Sequence, residues 1–138
     1  MPIFYDAVEV KFPNIKKRDT GNWIKSVVAN HQKRVGDISY IFCSDEEILR
    51  INNQYLNHDY YTDIITFDYS EKNIVSGDLF ISLETVKSNA EKFGTEYREE
   101  LNRVIIHGIL HLCGFKDKSP EEEAIMRQKE NEALSLLV

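Results

Sequence analysis

Cysteine is scarce in this chain: there are two in 138 residues, Cys43 and Cys113, at no recurring spacing. That excludes a disulfide scaffold and fits a reducing compartment. No apolar run approaches the ~20 residues that cross a bilayer, so no membrane partner is expected. The N-terminus, Met1-Pro-Ile-Phe-Tyr-Asp6, lacks a basic stretch followed by an apolar one. It does not read as a secretory leader, and a cytoplasmic location is expected. Six glycines and three prolines leave no room for a low-complexity linker. The length suits one domain, 1–138, large enough to bury a core.

Charge is unevenly distributed. The net formal charge is −6, yet residues 11–34 hold seven cations (Lys11, Lys16, Lys17, Arg18, Lys25, Lys33, Arg34) against Asp19 alone. Overall acidity argues against a nucleic-acid partner, whereas a local positive field can still steer a polyanion. A solvated charged face explains the same residues without any ligand.

The pattern of apolar residues gives an element order. Val8-Glu-Val-Lys-Phe12 alternates like a half-buried strand. A helix is predicted from about Asn22 to Arg34, entered at Asp19 or Thr20, closed by Gly36, and turning Trp23, Ile24, Val27 and Val28 to the core. Asp37–Cys43 reads as a strand, and Ser44-Asp-Glu-Glu47 opens a second helix through Ile51. Ile64–Tyr69 and Leu79–Leu83 read as neighbouring antiparallel strands. A helix from about Leu83 to Phe93 ends at Gly94, and Thr95 is the expected cap of the next. Ser119-Pro120-Glu121-Glu122 starts the last helix with a cap, a proline and a reciprocal glutamate. Its apolar candidates are Ala124, Ile125, Met126, Ala133 and Leu134. The expected fold class is α+β: a mixed sheet of about four strands packed with helices.

The chemistry concentrates in Arg103-Val-Ile-Ile-His107-Gly-Ile-Leu-His111-Leu-Cys-Gly114-Phe-Lys-Asp117. Histidines four apart share one helix face. Gly114 lets the helix stop, and Asp117 follows in a loop short enough to fold back toward both rings. Two imidazoles and a carboxylate, with a fourth position free, make a catalytic zinc set. Two core histidines would be the alternative, although burying two rings without partners is costly. Cys113 lies about 160° round the helix from His111 and is expected to pack inward. A His-Glu-x-x-His peptidase carries its general base beside the first ligand, and here that position is Gly108. Glycine there is expected to leave open space beside His107 for a bulky group. Phosphodiester hydrolysis by metal-activated water therefore fits somewhat better than peptide hydrolysis, and no side chain is assigned as the catalytic base.

Three segments together resemble the YbeY family of metal-dependent endoribonucleases. His107-Gly-Ile-Leu-His111-Leu-Cys-Gly114-Phe-Lys-Asp117 is similar to that family's H-G-x-L-H-L-x-G-[YF]-D-H. Asn52-x-x-Tyr55-x-x-x-Asp59-x-x-Thr62-Asp63-Ile-Ile-Thr66-Phe67 resembles its L-N-x-x-Y-R-x-x-D-x-x-T-D-V-L-S-F, and Gly77-Asp78-Leu-Phe-Ile81-Ser82 its G-D-I-x-I-S. The resemblance implies a single-strand-specific endoribonuclease of rRNA 3′-end maturation and ribosome quality control, with ribosomal RNA and ribosomal particles as partners. It implies metal ligands at His107, His111 and Asp117, the last standing where the family usually has histidine. Zinc is the expected ion, and the aspartate widens the choice toward manganese or iron.

Leu56 stands where the family has an arginine thought to handle phosphate, and leucine cannot do that. His58, Asp63, Thr66, Lys16, Lys17 and Arg18 are the candidate substrate-binding residues. Thr62, Asp63 and Thr66 have a plainer role open to them, capping and pairing a strand entrance. Two other functions stay open at this stage: a ribosome-associated assembly factor with a structural metal, and a small metal-dependent hydrolase of another substrate.

Overall fold

The computed structural model describes residues 3–56 and 62–137. The elements are β1 (Ile3–Val8), α1 (Lys17–Asn30), β2 (Arg34–Cys43), α2 (Asp45–Leu56), β3 (Ile64–Asp68), β4 (Ile74–Ser82), α3 (Leu83–Phe93), α4 (Tyr97–Leu112) and α5 (Pro120–Leu134). The strands form one sheet in the order β1-β2-β4-β3. β1 and β4 run parallel to β2, and β3 closes the sheet antiparallel to β4. This is the mixed four-stranded α+β architecture that the sequence pattern implied.

Strand alternation sorts side chains onto two faces. Ile38, Tyr40 and Phe42 of β2 and Val75, Leu79 and Ile81 of β4 join the main core with α1 and α4. Cys43 and Ile65 face the other way and pack with Ile48 and Ile51 of α2, with Phe67 and Phe80 alongside. α4 is the central helix, with Val104, Ile105, Ile106, Ile109 and Leu110 all buried. The Tyr40 hydroxyl donates to the Ile105 carbonyl at 2.9 Å, and Trp23 Nε1 donates to the Ala133 carbonyl at 2.8 Å. Two buried donors are thereby satisfied and tie the sheet to α4 and α1 to α5.

The first strand lies earlier than Val8–Phe12. Glu9 has φ 59°, which breaks the extended chain, so the pairing runs over Ile3–Val8 with Ile3, Tyr5 and Ala7 inward. Val10 and Phe12 still reach the core from irregular chain, Phe12 edge-on to Phe42 at 5.6 Å. α1 also starts early, at Lys17, because its first turn is buried at Thr20 and Gly21. Gly36 does not close α1. Gln32, at φ 59°, makes the left-handed turn, with Lys33 N–H donating to the Val28 carbonyl at 3.2 Å. Gly36 instead lies inside β2, where a Cβ would run into Ser76 Oγ and stand 2.6 Å from Ile74 Cγ2.

The other helix signals behave unequally. α3 ends at Gly94 in the left-handed conformation, φ 68°. α5 opens with the full Ser119–Glu122 capping box. Glu96, not Thr95, caps α4, without a side-chain bond. Of the apolar candidates in α5, Met126 and Ala133 are buried, whereas Ala124 and Ile125 face solvent.

Candidate metal centre

α4 carries His107 and His111 toward its C-terminal end, where the helix leaves the sheet at edge strand β3. Gly108 lies between them, buried. A Cβ there would run into Leu79 Cδ2 and stand 2.8 Å from Ile64 Cδ1. The expected open space beside His107 is thus not at Gly108. Glycine is needed there for the helix to approach the sheet, and the open side belongs to the histidines. Gly114, at φ 106°, turns the chain after Leu112, and its N–H donates to the His111 carbonyl at 3.0 Å. Asp117 is returned to the rings by this turn. Cys113 packs against the core as expected, and burial pushes its thiol up to about 11.

Three potential ligand atoms converge. His111 Nε2 lies 3.1 Å from His107 Nε2, His107 Nε2 3.2 Å from Asp117 Oδ2, and His111 Nε2 3.3 Å from Asp117 Oδ2. Three atoms bound at ~2.0–2.1 Å around a tetrahedral ion stand about 3.3 Å apart, so the triangle fits such an ion. Two ring nitrogens and a carboxylate oxygen also crowd their lone pairs together, an arrangement that a cation relieves. His107, His111 and Asp117 can therefore form a metal site.

Glu130 is the residue that sequence reasoning missed. It is 5% exposed, and its Oε2 accepts from His107 Nδ1–H at 2.6 Å. Its Oε1 accepts from Arg103 at 2.7 Å, and Arg103 also donates to Asn131 Oδ1 at 2.9 Å. With the proton held on Nδ1, a neutral His107 presents its Nε2 lone pair to the triangle. Carboxylates bound in this way orient metal-ligating histidines and raise their basicity. Burial works against a charged His107 ring, but the Glu130 bond and charge, Asp117 and Asp63 outweigh it and move its pKa up. Burial likewise raises Glu130, and its bonds to His107 and Arg103 more than reverse this. The available signal was positional: Met126, Glu130 and Ala133 make one buried stripe on α5, with a carboxylate among apolar residues.

The triangle opens into a cleft of about 400 Å³ lined by Thr62, Asp63, Ile64, Thr66, Asp68, His107, His111, Leu112 and Asp117. Ile64, Thr66 and Asp68 are alternate residues of β3, which explains why all three face α4. Burial raises the Asp63 carboxyl, with His107 and backbone N–H groups pulling back. Asp63 and Thr66 thus come to the metal side. Lys16 lines another hollow, with Asp19, Arg98 and Asn102 near the N-terminal half of α4. Lys17 stacks over Phe12, 4.6 Å from the ring centroid. Neither these two nor Arg18 lines the metal cleft. His58 lies outside the described residues.

A mixed α+β sheet with two histidines and a carboxylate able to hold a metal ion in an open cleft suits a small metal-dependent hydrolase. The family model described as Endoribonuclease YbeY matches residues 7–138. Endoribonuclease YbeY of Bacteroides fragilis is 64% identical over 136 residues, covering 99% of this chain and 98% of that protein. The protein of the same name from Parabacteroides distasonis is 62% identical over 137 residues, covering 99% and 96%. A solution structure of a Thermotoga maritima protein superposes with TM-score 0.67 at 28% identity, covering 96% of this chain and 89% of that one. The chain belongs to the YbeY family and is an endoribonuclease, a hydrolase.

Proposed function

We propose that the chain is a zinc-dependent endoribonuclease that cuts single-stranded RNA during rRNA 3′-end maturation and ribosome quality control, acting in the cytoplasm on ribosomal particles. The observation that carries this reading is the triangle of His107, His111 and Asp117 facing the open cleft. When bound there, a divalent ion supplies Lewis acidity toward a phosphoryl oxygen and acidifies water. The ligand set suits zinc, and the carboxylate also admits manganese or iron.

The chain's own side chains do the rest. Glu130 holds the proton on His107 Nδ1 and is itself held by Arg103, so the ring cannot turn away. Asp63, on the cleft wall, keeps its proton to higher pH than an exposed aspartate does. The Thr66 hydroxyl, in the same cleft, can donate to a phosphate oxygen. Leu56 carries no charge for a phosphate, so cations elsewhere in the chain supply that contact.

The test is cleavage of a labelled single-stranded rRNA 3′-end precursor, with and without chelator, by the native chain and by His111→Ala. Metal-dependent cutting that disappears in the variant supports the reading. A native chain that binds ribosomal particles and never cuts would make it an assembly factor instead. Among the described residues no helix is long and apolar enough to cross a membrane.

A further inference from the structure

The seven cations of residues 11–34 form one cluster in the sequence, but α1 separates them in space. Lys16 sits at the helix start, whereas Lys33 and Arg34 follow its end, close to the loop that carries Asp117. A hollow of about 620 Å³ opens there between the last turns of α1 and the start of β2. Lys25, Lys33 and Arg34 line it together with Ala29, Val35, Gly36 and Ile74. No carboxylate among the described residues lines it. Lys33 Nζ donates to the Lys72 carbonyl at 3.4 Å and Arg34 N–H to the Asn73 carbonyl at 2.9 Å, which fixes this stretch against the β3–β4 turn.

The end of α1 meets the loop that leads to Asp117. His31, at the end of α1, stands edge-on to Phe115 with ring centroids 5.1 Å apart, two residues before Asp117. A strand of RNA at the metal passes Asp68 on the cleft wall, a charge that repels its phosphates. Favourable backbone contacts must come from cations nearby, because phosphate neutralisation supplies most of the affinity for a single strand.

We infer that the Lys25–Lys33–Arg34 hollow is a binding subsite for the phosphodiester backbone of single-stranded RNA, holding the phosphates that flank the one presented to the metal centre. The inference rests on the endoribonuclease reading and adds to it a path for the substrate past the His31–Phe115 contact. It also assigns the phosphate-binding work that Leu56 cannot do.

The experiment uses the metal-loaded full chain and a labelled single-stranded RNA over a series of salt concentrations. Lys25→Gln/Lys33→Gln/Arg34→Gln is expected to raise KM about tenfold with kcat within about twofold. The log–log salt dependence of kcat/KM should flatten by about 2, at ~0.7 for each phosphate left without its cation. Lys87→Gln/Lys92→Gln on α3, which removes two cations from another surface, should change neither quantity. If the triple variant melts early, Lys33→Gln alone should flatten the slope by about 0.7. Unchanged KM and slope in a folded variant overturn the subsite while cleavage by the native chain still stands. A variant that keeps its KM for naked RNA but no longer binds ribosomal particles makes the hollow a protein-docking surface, which also overturns it. A native chain that cuts no RNA removes the underlying reading and the subsite with it.

Discussion

The metal cleft and the basic hollow are built from opposite charges. On one side, Asp63, Asp68 and Asp117 line the metal cleft, with Glu130 behind His107. On the other, Lys25, Lys33 and Arg34 line a hollow together with Ala29, Val35, Gly36 and Ile74. Carboxylates suit a cation and the orientation of its histidines, but they repel an RNA backbone. Cations suit the backbone and would compete with a metal for the same anionic ligands. Placing the two sets in separate recesses lets each work without the other's penalty, and it accounts for an acidic protein, net −6, that acts on a polyanion.

The sharpest way to break this division is to remove a ligand. His111→Ala leaves one imidazole and one carboxylate, and the fall in metal affinity should exceed the ~100-fold upper range for an outer hydrogen-bond partner. Inductively coupled plasma measurement after dialysis reads the stoichiometry directly, and cleavage should vanish with the metal. Asp117→Ala should also lower metal content. Unchanged stoichiometry and affinity in that variant would remove Asp117 from the site and leave only the histidines on the acidic side.

Glu130→Gln comes next. The amide keeps the shape of the carboxylate but loses its charge against His107 and Arg103, so metal affinity should fall about 10–100-fold. A competition titration with a chromophoric chelator measures it. Glu130→Asp, which restores the charge on a shorter arm, should recover part of the affinity. If Glu130→Gln changes thermal stability alone and leaves metal affinity untouched, Glu130 is only a core ion pair with Arg103.

Gly108→Ala separates packing from access. A methyl group at 108 meets the terminal carbons of Leu79 and Ile64, so those core side chains or the helix must shift, at a cost of about 1–3 kcal/mol, readable as a lower urea midpoint. Had the glycine cleared space for substrate, the variant would instead raise KM at unchanged stability.

These cases show what a linear sequence can and cannot disclose. His107 and His111 were legible because i, i+4 spacing is enough to place two rings together, and Gly114 and Asp117 follow within one turn. Gly94 and the Ser119–Glu122 box were legible because capping is local chemistry. Glu130 was not, because it meets His107 across a helix–helix interface 23 residues later in the chain. Gly108 was misread because its neighbours, Leu79 and Ile64, come from strands that only the folded sheet brings beneath α4. The basic cluster could be counted in the sequence, but its division at α1 could not, since the direction of that helix sets which cations reach the metal loop. β1 was misplaced because one residue in the left-handed region, Glu9, ended an alternation that looked unbroken.

The smallest effect tests the comparison most directly. Asp68 lines the metal cleft and takes no part in the ligand triangle. Its Oδ1 accepts from Ser70 N–H at 2.8 Å, a bond that asparagine preserves. Asp68→Asn therefore removes one repulsive charge from the path of the RNA while keeping the turn. Surface charge interactions are worth about 0.2–1 kcal/mol, so KM for single-stranded RNA should fall by up to about fivefold, with kcat and metal content unchanged. Raising the salt should shrink the gain, because screening weakens a repulsion as it does an attraction. A KM that rises in Asp68→Asn would mean that the carboxylate helps to hold the substrate, and the cleft wall would then be part of the RNA contact rather than an obstacle to it.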